Sequence, residues 1–354
     1  MNMKSSSDFS IFKIASAYIG TVVGAGFASG QEVLQFFSAF GWSGLWGIAI
    51  SSLLFFMIGY SVLLLGRNLK AKSHVDIVQF TNGKVLGFCI DIIITIFLFG
   101  ALAAMIAGAG AIFHEHFRIP AIWGTLVMAL FTLLTVVTGT KGVINAISYV
   151  VPFLILSVLF ISIYSLLTNP ITAGDIQTSA ALNGATPNWL LASINYASYN
   201  IVIAIAVLAP MGAQTKNKRN LFWGALLGSL GLGLGIFAIY FCVLTNMIDV
   251  AAKEVPMIEI ASRISVIVKF LFAIVLFAEV YTTAVGNLYG FVRRVSFKLS
   301  NLWIIIITTG AALIVSQLGF STMVKYLYPA VGYGGILFFA GVAYAWIAKR
   351  SSLK

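Results

Sequence analysis

Gly20-Thr21-Val22-Val23-Gly24-Ala25-Gly26-Phe27-Ala28-Ser29-Gly30-Gln31-Glu32 lies inside an apolar run from Ile11 to Phe40. The run is long enough to cross a bilayer, which takes about 20 apolar residues as a helix. Yet the stretch holds four glycines between Gly20 and Gly30, and a carboxylate after them. Each glycine weakens a helix by about 1 kcal/mol relative to alanine. The sequence therefore predicts a spanning helix that opens here. Opened backbone survives at membrane depth only where it lines a cavity or meets a ligand. The competing explanation is close packing, since Gly20/Gly24 and Gly26/Gly30 also form small-xxx-small spacings. The glycine spacing is not that of a dinucleotide-binding fingerprint, and no strand precedes it.

Composition sets the class. The chain of 354 residues is 60% hydrophobic and 9% charged. Soluble domains carry about 25% charged residues. The chain is read as an all-α polytopic membrane protein, one membrane domain over 1–354. Cys89 and Cys242 both fall in apolar runs and suggest neither a disulfide framework nor a metal cluster. The net charge of +11 does not point to nucleic acid, because the basic residues lie between spans.

Ten spans are expected. The first, Ile11–Phe40, is broken at the glycines. The others begin near Ser43, Val85, Ala121, Val143, Trp189, Leu221, Ser265, Asn301 and Val324. With the N-terminus placed in the cytoplasm, sixteen of the 21 lysines and arginines fall on that side, Lys141 among them. That bias predicts both termini inside. Spans one to five (11–167) overlay spans six to ten (189–348). Tyr149-x-x-Pro152 matches Tyr326-x-x-Pro329, and Leu98-Phe99 with Gly108 matches Leu276-Phe277 with Gly286. Five spans per unit make the second unit enter from the opposite side, an inverted repeat. Span six then has its own expected break, at Ser198-Tyr199-Asn200.

Several residues carry chemistry. Glu279 sits near the centre of span eight, where a charge costs about 3 kcal/mol on insertion scales. A cation, a proton or a structural hydrogen bond must offset that. Thr282 and Thr283 follow on or near the same helix face, and hard cations prefer oxygen ligands. The threonines could equally back-bond to their own helix. Glu32 follows the break and could attract an ammonium group, gate the entrance or cap the next half-helix. Asp91 is expected to pair with a basic loop residue. His114-Glu115-His116 reads as a solvated turn, and the span-seven glycines as packing positions. No protease, phosphate-loop or nucleophile motif occurs, so an enzyme is not expected.

The Gly20–Glu32 stretch resembles the first helix of the YkvI-like bacterial membrane proteins, of the amino acid–polyamine–organocation transporter superfamily. The resemblance extends over the chain in length and span count. It implies a LeuT-type fold of two inverted five-helix repeats in a bacterial cell membrane. It also implies a secondary transporter of a small amine, amino acid or related zwitterion, coupled to sodium or protons. The alternative is a non-transporting receptor on the same fold, such as a spore germinant receptor subunit. By resemblance, a sodium ion sits against Gly20, Val23, Glu279, Thr282 and Thr283, with Gly20 and Val23 offering carbonyls. No other cofactor is implied. Phe27 stands where relatives with a second sodium carry asparagine, so a second sodium is not expected. The substrate is expected between the breaks of spans one and six, at Ala25, Gly26, Phe27, Tyr199 and Asn200, with Glu32 beside it.

Overall fold

The computed structural model describes residues 9–71, 73–137, 150–295 and 301–348. Lys141 and Tyr149 lie outside them. All regular structure among the described residues is helical. The first apolar run forms α1 (Ile11–Val22), α2 (Ala25–Ala28) and α3 (Gln31–Phe36). There follow α4 (Ser43–Leu69), α5 (His74–Phe117), α6 (Ala121–Val137), α7 (Val150–Thr168) and the short α8 (Ala173–Ala181). The second half holds α9 (Trp189–Gln214), α10 (Lys218–Leu244), short α11 (Met247–Val250) and α12 (Pro256–Ile264), α13 (Val266–Val295), α14 (Asn301–Val315) and α15 (Phe320–Ala348). By length and composition α4, α5, α9, α10, α13 and α15 suffice to cross a membrane. Shorter apolar helices, α1, α6, α7 and α14, bring the number of apolar segments to about ten. This is a multi-pass, all-α membrane protein.

The helices pair in a definite way. α4 runs along α9, and α10 runs along α1; α4 also packs on α10, and α5 on α13 and α15. Glycines make the α10–α1 contact close. Gly224, Gly228 and Gly231 face Ile14, Tyr18 and Ile19, where a Cβ would collide. The expected packing role of these glycines is what the structure shows.

Two expectations need correction. α9 is continuous from Trp189 to Gln214, with no break at Ser198-Tyr199-Asn200. The polar side chains have another use. Asn195 Nδ2 donates to the Pro329 carbonyl (2.9 Å), Ser198 Oγ to the Gly332 carbonyl (2.6 Å), and Asn200 Nδ2 back to the Tyr196 carbonyl (3.0 Å). Asn195 and Ser198 join α9 to α15 and Asn200 bonds within α9, so none of them interrupts the helix. The second correction is at His114-Glu115-His116. This is no solvated turn but the last turn of α5, with His116 buried. Glu115 accepts from the Glu254 and Val255 amides (3.0 and 3.3 Å), and Glu254 in turn accepts from the Phe320 amide at the start of α15 (2.8 Å). Two carboxyls thus tie together α5, the turn before α12 and α15.

Hydrogen bonds to a charged acceptor contribute about 1.5–3 kcal/mol each, and both amides would be orphaned together. Glu115→Ala is therefore expected to lower the apparent melting temperature by several degrees, followed by size-exclusion fluorescence after heating. An unchanged profile would show that water replaces the carboxyl there.

Candidate functional site

α1 ends at Val22 because the chain turns extended. Val23 has φ −72°, ψ 106°, and Gly24 φ −126°, ψ −173°. The Val23 amide still bonds to the Ile19 carbonyl (2.8 Å), but no backbone N–H among the described residues reaches the carbonyls of Gly20 or Val23. One helical turn, α2, follows. A second interruption comes at Gly30, whose φ of 81° is left-handed and suits glycine. So the first span opens twice within ten residues, at each end of α2.

α13 passes the first opening. A Cβ on Gly24 would lie 3.8 Å from Thr283 Oγ1. Gly20, Val23, Glu279, Thr282 and Thr283 all line one cavity of about 540 Å³. The cation-site candidates are therefore neighbours in space. Their bonding is incomplete. Thr282 Oγ1 donates to the Glu279 carbonyl (3.0 Å), the back-bond considered from sequence. Thr283 Oγ1 stands 3.4 Å from Glu279 Oε1, a long contact. Glu279 Oε2 is buried and has no partner. Such a carboxyl, near carbonyls without donors, has the oxygen chemistry that suits a small hard cation or a proton.

The cavity extends to His74 and Arg294 at the basic end of the bundle. There Arg294 Nη1 donates to Asp91 Oδ1 (2.8 Å) and reaches Thr95 Oγ1 (3.2 Å). Asp91 has the basic partner expected of it. His74 Nε2 lies 2.6 Å from Arg294 Nη2 and 3.1 Å from Asp91 Oδ1. A nitrogen accepting from the guanidinium cannot also donate to the carboxylate, so one of these contacts is not a hydrogen bond.

Beyond the opening lie the substrate candidates. Ala25, Gly26 and Phe27 are buried in α2. Glu32 is 5% exposed, and its carboxyl folds back over Gly26, leaving no room for a Cβ there. Its Oε2 accepts from Tyr199 Oη at 2.7 Å. Gly26, Glu32 and Tyr199 are thus brought together. Phe27 and Asn200 are not part of that contact. The Phe27 ring abuts Gly235 of α10, and Asn200 bonds within α9. Sequence reasoning missed the aromatic surround of Tyr199: Phe36, Phe97, Tyr196 and Tyr328, with ring centroids 5.2–6.3 Å away. The three-residue spacing of Tyr196 and Tyr199 was the available signal, since it puts both rings on one face. Among the described residues there is no grouping of three or more His, Cys, Asp or Glu suited to a metal ion.

The far end is covered. α8 lies against the turn after α3, where Ser179 Oγ donates to the Ser38 carbonyl (2.6 Å) and accepts from the Gly41 amide (2.9 Å). Tyr240 Oη donates to the Gly41 carbonyl (2.7 Å), and the Met257 amide to the Ser29 carbonyl (3.0 Å).

The chain is 30% identical over 349 residues to the Bacillus subtilis membrane protein YkvI, covering 96% of this chain and 97% of that one. It is 27% identical over 320 residues to the Bacillus subtilis protein YyaD, covering 89% and 90%. No protein-family model matches. Among solved structures it is similar to Mhp1 in an inward facing conformation, with TM-score 0.64 and 12% identity over 98% of this chain and 79% of that one. MhsT in complex with L-phenylalanine gives TM-score 0.61 and 17% identity, over 96% and 90%. A Na⁺-coupled sialic acid symporter in a substrate-bound outward-open state gives 0.62 and 13%, over 94% and 79%. At these identities the similarity establishes the fold, of the LeuT type.

Proposed function

The chain belongs to the family of the Bacillus subtilis membrane protein YkvI, and from that membership and the site's geometry we propose that it is a cation-coupled secondary transporter of a small solute. One observation carries this. A helix opened at membrane depth shares a cavity with a buried, unpartnered carboxyl and two threonines. Backbone is exposed at such a depth only at a cost, and a site for a cation and a solute is what offsets it. The driving cation, sodium or a proton, is held by Glu279, Thr282 and Thr283 with the carbonyls of Gly20 and Val23. The solute sits at Ala25, Gly26, Glu32 and Tyr199. Phe27 and Asn200 support that place from behind. The partners are a small molecule, a monovalent cation and the lipid bilayer. The similarity to MhsT and to the Na⁺-coupled symporter supports this reading.

The single membrane domain consists of two inverted repeats, 11–167 and 189–348. The pairing supports this: α4 lies along α9 as α10 lies along α1, the exchange that an inverted repeat requires. With the basic end in the cytoplasm, the cavity faces inward and the opposite end is closed. The decisive experiment is uptake into proteoliposomes of a panel of small amines and amino acids, with sodium and proton gradients imposed separately. Accumulation driven by one gradient supports the proposal; none with either gradient overturns it.

Orientation has its own check. Asn183 is exposed in the segment between α8 and α9. In a Cys89→Ser background, Asn183→Cys is expected to react with an impermeant maleimide added outside intact cells. Labelling only after permeabilisation would invert the topology.

A further inference from the structure

We propose that the transported solute is an organic ammonium without a carboxylate. Its charge is held by Glu32, and its body by the rings of Phe36, Phe97, Tyr196, Tyr199 and Tyr328. The setting depends on the transporter proposal; the identity of the solute depends on residues that play no part in the cation site.

Glu32 is the first argument. It is nearly fully buried, and no Lys, Arg or His forms an ion pair with it among the described residues. Among the described residues its side-chain partners are neutral hydroxyls: Tyr199 donates to it, and the Tyr196 hydroxyl is close by. The carboxyl lies on Gly26, in the helical turn between the two openings of the first span. A zwitterionic solute would have to bring its carboxylate to this turn, against a carboxyl already there. Like charges at contact distance in a dry site repel strongly. The basic groups lining the cavity are His74 and Arg294, at its far end, where Arg294 is already bound to Asp91. Apart from the driving cation across the opening, the residues around the solute offer a counter-charge to a cation and none to an anion.

The rings are the second argument. Tyr199 touches all four other rings, and Phe97 also touches Tyr328 at 5.5 Å. Aromatic faces beside a carboxyl recognise ammonium groups through the ring quadrupole, and the ring at the centre of this cluster, Tyr199, is the one that bonds Glu32. Such faces do not suit a hard divalent metal ion such as calcium or magnesium, which takes six or more oxygen ligands. Phe97 belongs both to this group and to the cavity wall. It is the ring a solute must pass when moving between the two.

The test uses the purified full-length protein in detergent and reads thermal stabilisation by ligand. Three probes share a phenyl body: phenethylamine, L-phenylalanine and 3-phenylpropionate. Choline and manganese(II) chloride complete the set. Phenethylamine and choline should stabilise. L-Phenylalanine should require at least tenfold higher concentration, and 3-phenylpropionate should do nothing. Glu32→Gln should raise the half-saturating phenethylamine concentration at least tenfold. Phe97→Leu should raise that of choline severalfold, and it decides the matter if Glu32→Gln does not fold. The proposal is overturned if L-phenylalanine, 3-phenylpropionate or manganese stabilises better than the amines. It is also overturned if no amine stabilises, or if both variants bind as the parent does. Uptake separates the two proposals. Amine binding without gradient-driven accumulation removes the transporter proposal and leaves this one. Accumulation of L-phenylalanine in preference to phenethylamine does the reverse.

Discussion

Glu279→Gln is expected to reduce gradient-driven accumulation at least tenfold while leaving the protein folded. The substitution keeps the size of the side chain and removes its charge. A neutral amide is cheaper to bury than a carboxylate, so the helix should insert at least as well. What is lost is the charged oxygen facing the open carbonyls of Gly20 and Val23 across the cavity. The identity of the driving ion appears in the pattern. If it is sodium, Thr283→Ala raises the sodium concentration for half-maximal solute binding severalfold. If it is a proton, Glu279→Gln becomes insensitive to pH and no sodium dependence is seen in either protein. Accumulation, sodium dependence and pH dependence all unchanged in Glu279→Gln would make this carboxyl structural.

Gly26→Val is expected to abolish solute binding. A Cβ at Gly26 enters the space of the Glu32 carboxyl, so that carboxyl must swing away from Tyr199. Gly26→Ala tests the same geometry more gently and should weaken binding about tenfold, the cost of one charge-assisted hydrogen bond. Branching at Val adds bulk in a fully buried turn where nothing yields easily. The check is ligand-induced stabilisation of each variant, with cation binding at Glu279 as the control that should persist. Normal solute binding by Gly26→Val would move the solute site elsewhere.

The spans were legible in the sequence because apolar runs of bilayer length admit few alternatives. The broken first span was legible as one of two readings, since four glycines at that density fit an opening or close helix packing. Glu279 stood out as a charge where charge is costly. What could not be read were relations between segments. Ser198 and Asn195 look like an interruption until α15 is beside them with carbonyls to accept their protons. Glu115 looks solvated until the 254–255 amides arrive from 139 residues away. Span three was expected from Val85, and the non-helical Gly83 (φ 76°, ψ 177°) does part α5 there, but the residues from His74 to Asn82 form a helix of their own rather than a loop. The polar Asn82-Gly83-Lys84 reads as a loop. Asn82 instead bonds to the Leu337 carbonyl of α15 (2.8 Å), which fastens the helical stretch before Gly83 to α15. The rings around Tyr199 were hidden because aromatics are common in any membrane helix, and only packing gathers four of them round the tyrosine that bonds Glu32.

The two bonds from α9 to the Pro329 and Gly332 carbonyls have a mechanical consequence. In water, sliding one helix past another exchanges each broken hydrogen bond for one to solvent. In hydrocarbon there is nothing to exchange with, and each step of slippage strands a donor and an acceptor. α9 and α15 are therefore latched. In any rearrangement that opens the closed end they travel as one rigid body. Relative motion falls instead on contacts of the other kind, such as the glycine-smoothed face between α1 and α10 and the gap between α1 and α13, where shape rather than hydrogen bonding holds the helices and a shift of an ångström strands no polar group.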